Sequence, residues 1–240
     1  MRKVHSLRRD SRLHGVIANL PMFRQVPRQG LAELMRQARS QELRRGEIVV
    51  QPGERLPGLM AVVYGLVKLS LRGEHGEERI LRLVGQGDTF GEARLFLDHP
   101  VPVQAVALTD SLLAIIPAEP LLRLIETDSR FTRAMLASMS QRLNALVADF
   151  EALTLHGARE RVAAYLGSLA EPGSGPVAVV LPAPKNVIAS RLGVAKETLS
   201  RILHELAQQG LAESEGFDPP SPCGLAVFKT AAFDRSANSP

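Results

Sequence analysis

The chain has 240 residues, 45% of them apolar, with 29 basic against 25 acidic side chains and a net charge of +4. That is enough for one large domain or two modest ones with packed cores, and the small basic excess permits nucleic-acid binding without requiring it. The single cysteine, Cys223, excludes an internal disulfide framework and a cysteine-ligated iron–sulfur cluster within one chain. No apolar run is long enough to span a bilayer, and the basic N-terminus lacks the apolar stretch of a signal peptide, so no membrane association and a cytoplasmic location are expected.

Arg2, Lys3, Arg8, Arg9 and Arg12 crowd the N-terminus against the lone acid Asp10. Such a cluster reads first as a solvated tail and second as a phosphate-contacting arm. From Leu13 to Arg39 the apolar residues fall at mixed helical spacings broken by Pro21, Pro27 and Gly30, which predicts short helices. From Leu43 to Pro117 the period changes. Ile48–Val50, Leu59–Val63, Val67–Leu71, Ile80–Val84, Val103–Thr109 and Leu112–Ile116 read as short strands, with glycine turns between them. Val67, Leu69 and Leu71 alternate with Lys68, Ser70 and Arg72, as a half-buried strand does, and Gly73–Gly76 reads as a hairpin turn. Many short strands in series predict a compact β-roll.

Ser129–Leu155 contains neither Pro nor Gly. Phe131, Met135, Met139, Leu143, Leu146, Phe150 and Leu153 recur at spacings of three and four, an apolar stripe long enough for a seam between two copies of the chain. Packing of the same helix on its own barrel is the competing reading. Arg159–Leu169 resumes a helix after Gly157. Val177–Leu181 reads as a strand, and Leu211–Glu213 with Leu225–Phe228 as a wing around a long tip containing Pro219 and Pro220.

Between them lies Lys185–Glu205, which reads as two short helices joined by a turn. Gly193 supplies the permissive backbone at the turn. Leu199, Ile202, Leu203 and Leu206 make the inner face of the second helix, leaving Glu197, Ser200, Arg201 and His204 outside. A surface helical hairpin is the plain alternative, in which Glu197 and Arg201 form an ion pair of little worth.

The order of β-roll, long helix and helix-turn-helix resembles the CRP/FNR family of bacterial transcription regulators. The motifs that carry it are Gly87-Asp-Thr-Phe-Gly-Glu92 and Lys196-Glu-Thr-Leu-Ser-Arg201. Gly91-Glu-Ala-Arg-Leu-Phe-Leu-Asp98 and Glu197–His204 are similar to the DNR branch, whose members are haem-dependent nitric-oxide sensors. The resemblance implies an α+β architecture. A cyclic-nucleotide-binding-like sensor domain is expected over residues 1–118, a long dimerisation helix over 119–155, and a winged helix-turn-helix over 156–240. It implies a homodimer that binds double-stranded DNA under effector control and works with RNA polymerase.

By that resemblance Glu197, Ser200 and Arg201 touch base edges of a TTGAT-type half-site. Arg201 suits guanine O6 and N7, and Glu197 suits the cytosine amine. Four apart on one face, the two are also placed to orient each other. Lys196 and Thr198 are better placed for phosphates. In the sensor, Phe90, Glu92, Leu95, Phe96, Leu143, Leu146 and Val147 are the expected effector-pocket residues. Glu92 stands where cyclic-nucleotide binders hold a ribose, although a loop-capping role is the simpler reading. The loop then reads Val101-Pro102-Val103 where those binders carry an arginine for the phosphate. Leu146 and Val147 stand where cAMP binders carry hydroxyls. The expected pocket is therefore apolar, and cAMP is not the expected ligand. Haem is implied by the DNR resemblance, with His14 as the candidate ligand, although the matching position itself reads Leu20-Pro21. His5, His75, His99, His156 and His204 each read singly as surface or satisfied-core residues. No phosphate-binding loop, zinc spacing or nucleophile elbow is present, so an enzyme is not expected. The alternative of another class is a β-roll ligand-binding or interaction module whose winged helix makes protein contacts.

Overall fold

The computed structural model describes residues 4–6, 15, 17–24, 26–74, 76–97, 99–170, 177–208, 213–214 and 227–230. The long wing tip, His14, His75 and most of the basic N-terminus lie outside these residues. The chain divides into two compact units, Met1–Leu146 and Val147–Pro240.

The first unit is a β-roll of two sheets. One has the order β1 (Val4–Ser6), β2 (Arg39–Leu43), β9 (Ser111–Pro117), β4 (Gly58–Tyr64) and β7 (Thr89–Phe90). The other has the order β3 (Ile48–Val50), β8 (Gln104–Ala107), β5 (Val67–Arg72) and β6 (Glu78–Val84). All the pairings are antiparallel. The inner faces enclose Val49, Val50, Met60, Val62, Val67, Val84, Phe90, Leu113 and their neighbours. The β5–β6 hairpin turns where Gly73–Gly76 predicts it. Strand β2 is not legible from its residues, Arg-Ser-Gln-Glu-Leu, whose apolar content is a single leucine. It forms because its backbone pairs on both sides, with β1 and with β9.

Outside the sheets lie α1 (Arg28–Gln37), α2 (Ala93–Phe96) and α3 (Ala118–Thr127). Helix α4 (Ser129–Leu155) follows. The expected helix over 119–155 is thus two helices, parted at Asp128. There the carboxylate accepts the Arg130 and Phe131 amides at 2.9 and 3.3 Å and caps α4. The first turns of α4 belong to the roll. Phe131 and Met135 are buried in a cluster with Phe23, Leu34, Leu59, Ile116 and Leu121, and Met139 packs on its edge. The Phe131 and Phe23 rings stack with centroids 5.5 Å apart. Further along, Leu143, Leu146 and Phe150 of the stripe are more than half exposed, as are Leu136 and Val147 beside it. The first part of the stripe therefore packs on the roll, as the competing reading expects, and its later part is exposed in the single chain.

The second unit holds α5 (Ala158–Leu169), β10 (Val177–Val180), α6 (Lys185–Leu192), α7 (Lys196–Gln208), β11 (Glu213–Ser214) and β12 (Val227–Thr230). β11 and β12 pair as the expected wing does, with described bounds Glu213–Ser214 and Val227–Thr230 in place of Leu211–Glu213 and Leu225–Phe228, and β12 also pairs with β10. Val162, Leu166, Val179, Leu181, Val187, Ile188, Leu199, Ile202, Leu203 and Leu206 are buried.

Two measurements test this packing. Phe131→Ala removes a fully buried ring and is expected to cost about 3–5 kcal/mol in chemical denaturation; a change near zero would show the ring to be dispensable. On the β5–β6 hairpin, burial pushes the Glu78 carboxyl up. The Lys68 ammonium, 2.6 Å from each oxygen, and the Ser70 hydroxyl outweigh that and hold it below its ordinary 4.5. A carboxylate held low stabilises the fold above its unfolded pKa and loses that contribution as pH falls through its folded value. Glu78→Gln should therefore melt earlier than the parent at neutral pH, and the two midpoints should converge in acid.

Candidate functional site

The exposed face of α7 is set by one turn. Helix α6 ends at Gly193, whose φ of 65° and ψ of 39° lie in the left-handed region. A side chain is disfavoured there and glycine is not. The Val194 amide donates to the Ala189 carbonyl at 3.0 Å, closing the end of α6. The chain then re-enters a helix at Lys196, and the Leu199 amide donates to the Ala195 carbonyl at 2.9 Å. Along α7, Leu199, Ile202, Leu203 and Leu206 are buried, so the period of the helix puts Lys196, Glu197, Ser200, Arg201 and His204 in solvent, with Thr198 half-buried. The surface is a short helix with an apolar back and a Glu–Ser–Arg front.

Arg201 does not pair with Glu197. Its guanidinium donates to Glu205, one turn on, at 2.5 Å. That exposed i,i+4 pair contributes little to stability. Glu197 is left facing solvent at the start of the helix, and His204 sits 2.9 Å from the Gln208 amide nitrogen. Behind α7, the Arg191 guanidinium lies 5.7 Å from the centre of the Tyr165 ring, joining α6 to α5. Burial raises the pKa of the Tyr165 hydroxyl, which the charge of Arg191 partly opposes.

In the roll, a second cluster ties the sensor loop to α4. Gly91, at φ 89°, opens the Gly91–Phe96 segment. A β-carbon there would meet the Leu56 side chain at 2.8 Å and the Gly58 carbonyl at 3.2 Å. Glu92 accepts the Thr89 hydroxyl at 2.6 Å and ion-pairs with Arg142 of α4. Arg142 also donates to the Thr89 hydroxyl oxygen at 2.5 Å. Arg82 donates to the Thr89 carbonyl at 2.9 Å and faces Asp88 at 3.5 Å. Beside this cluster lies a cavity of about 460 Å³. Its lining includes Leu20–Met22, Arg82, Gly87–Thr89 and one face of α4: Ala134, Ala137, Ser138, Gln141, Arg142 and Ala145.

Comparison with known proteins settles the kinship. A cyclic nucleotide-binding domain model matches residues 40–128, and a Crp-like helix-turn-helix domain model matches residues 160–218. The cyclic AMP receptor protein of Thermus thermophilus is 31% identical over 166 residues, 69% of this chain and 76% of that protein. The chain belongs to the CRP/FNR family of transcriptional regulators. A solved CRP/FNR regulator from the same organism superposes with a TM-score of 0.59 at 28% identity, covering 80% of this chain and 93% of that one. FixK2 from Bradyrhizobium japonicum, at 23% identity and a TM-score of 0.66 over 79% of this chain and 91% of that one, shares the fold.

As a CRP/FNR sensor, the roll differs from the expected apolar pocket. Phe90 and Leu95 are buried and Glu92 is partly so, but Phe96, Leu143, Leu146 and Val147 are 51%, 62%, 54% and 58% exposed. The periodicity of α4 explains the difference. The face turned to the cavity carries small and polar residues, and the leucines lie on the face beside it. Val101–Val103 carries no cation, and the arginine that fixes Glu92, Arg142, comes from α4. Arg94, near that stretch, donates to the Leu56 carbonyl at 3.1 Å. The cavity lining holds no histidine, cysteine or tyrosine among the described residues, and its one thioether, Met22, is buried in the apolar core. This donor set does not fit haem. His99 and His156 are exposed, and no group of three metal-ligating side chains occurs among the described residues.

Arg142→Ala leaves Glu92 half-buried without its cation. It is expected to lower stability by about 1–3 kcal/mol in denaturant titration, whereas Glu92→Gln with Arg142→Gln together should cost less than the sum of the single changes.

Proposed function

We propose that this regulator is a homodimer that reads a TTGAT-type palindrome and is controlled by a small polar effector in the sensor unit. The observation that carries the proposal is the exposed Glu197–Ser200–Arg201 front of α7 on a fully buried leucine back. A helix that served only packing would have no use for that combination. In the proposal Arg201 leaves Glu205 for guanine O6 and N7, Glu197 accepts from a cytosine amine, and Lys196 and Thr198 hold phosphates. The bare apolar line Leu136, Leu143, Val147 and Phe150 on α4 supports pairing of two chains, at spacings of seven, four and three. A dimer places its two reading helices on half-sites about one helical turn apart. In this reading the sensor occupies 1–118, the dimer helix lies in Ser129–Leu155 within the expected 119–155, and DNA binding falls in 156–240. RNA polymerase is the protein partner this role implies.

For the effector, the cavity beside Arg82, Asp88, Thr89, Gln141 and Arg142 suits a polar molecule better than haem. Glu92 is already engaged by Arg142, and Val101–Val103 provides no cation for a cyclic phosphate. Neither cAMP nor haem is therefore part of the proposal, and the nitric-oxide response of the DNR branch is left with no described residue to carry it.

Binding to a labelled TTGAT palindrome should weaken steeply with salt, because neutralised phosphates release counterions. Arg201→Ala should cost about 1–3 kcal/mol on that duplex; unchanged affinity would remove Arg201 from the reading face. The paired change Leu143→Glu and Phe150→Glu should yield a monomer in sedimentation, and a persisting dimer would place the interface elsewhere.

A further inference from the structure

Arg161, on the first turns of α5, serves no part of the reading face, yet its guanidinium meets three backbone carbonyls. Nη1 donates to the His156 carbonyl at 2.5 Å, Nε to the Leu192 carbonyl at 2.9 Å, and Nη2 reaches the Gly193 carbonyl at 3.4 Å. The first of these lies just past the C-terminal end of α4, and the other two at the C-terminal end of α6. Helix ends leave their last carbonyls without partners inside the helix, and carry the negative end of the helix dipole. A planar cation with five donors in a fixed fork answers several such carbonyls at once.

We infer that Arg161 is a positioning residue for DNA reading, tying the end of α4 to the turn that launches α7. Only Val194 and Ala195 separate Gly193 from Lys196, so a shift of the turn is passed to the first turns of α7, where Glu197, Ser200 and Arg201 stand. Bidentate base contacts depend on that placement. The same guanidinium links the His156–Gly157 bend to the turn, so a movement of the end of α4 reaches the reading helix through one side chain rather than through the backbone of α5 alone. A lysine keeps the charge, but its three N–H donors leave a single nitrogen and do not reproduce the fork that meets three separate carbonyls. The inference rests on the reading of α7 as the DNA-reading helix.

The test uses full-length Arg161→Lys and Arg161→Ala in fluorescence anisotropy, on the TTGAT palindrome and on a scrambled duplex of equal length. Thermal unfolding and amide exchange over residues 193–198 accompany it. Both variants are expected to lose about tenfold or more on the palindrome, and Arg161→Lys to stay within about twofold of the parent on the scrambled duplex. Exchange in the turn should quicken in Arg161→Lys while its unfolding midpoint holds. Full rescue of palindrome binding by lysine would overturn the inference and make Arg161 a simple charge. A parallel fall on both duplexes with a lower midpoint would overturn it as well, leaving a structural role. If the parent itself does not distinguish the duplexes, the reading of α7 fails and the positioning role fails with it; exchange in the turn is then the only effect left to Arg161.

Discussion

The geometry of the DNA-binding unit depends on one backbone constraint, the left-handed residue between α6 and α7. Gly193 redirects the chain within a few residues, and both helices can then bury their apolar sides. Val187, Ile188 and Ala189 of α6 are buried, and so are Leu199, Ile202, Leu203 and Leu206 of α7. Once the leucines are committed inward, the helical period leaves no choice about what faces out. The chemistry of the front of α7 is therefore a consequence of the turn and of the leucine spacing together. The Arg191–Tyr165 contact joins α6 to α5, and β12 ties β10 to β11.

The sensor unit is held by a different kind of constraint. Its loop carboxylate, Glu92, does not wait open for a ligand; Thr89 and Arg142 occupy it. Because Arg142 stands on α4, the state of that loop and the placement of α4 are joined by a partly buried ion pair, and such a pair is costly to break on one side only. The first turns of α4 are anchored by Phe131 and Met135, whereas its later leucines are bare. A single helix thus carries a segment fixed in the roll and a later segment whose apolar side chains are exposed.

Much of this is legible in the sequence, for identifiable reasons. The strands with clean alternation or dense β-branched content, such as Leu59–Val63 and Val67–Leu71, announce themselves by period and glycine punctuation. So do the two helices around Gly193, because glycine at a left-handed turn and leucines at three and four are local signals. Strand β2 is not legible, since Arg39–Leu43 is polar and becomes a strand only through two partners distant in sequence. The cavity escapes a sequence reading for a similar reason. An apolar stripe suggests that a helix buries something, but not which face meets the cavity and which meets solvent. Arg142 and Arg161 act through contacts made by tertiary structure, and an arginine on a helix carries no local sign of which carbonyl or carboxylate it will meet.

The central claim is that the front of α7 reads bases, and a base-substitution scan of the half-site tests it most directly. Each base pair of one TTGAT half is replaced in turn, and the affinity of the full-length protein is measured at fixed salt. The predicted result is a loss of about 1–3 kcal/mol at the guanine position, with smaller effects at flanking pairs. Equal affinity for every replaced duplex would contradict it, and would reduce the DNA contact of α7 to phosphates alone.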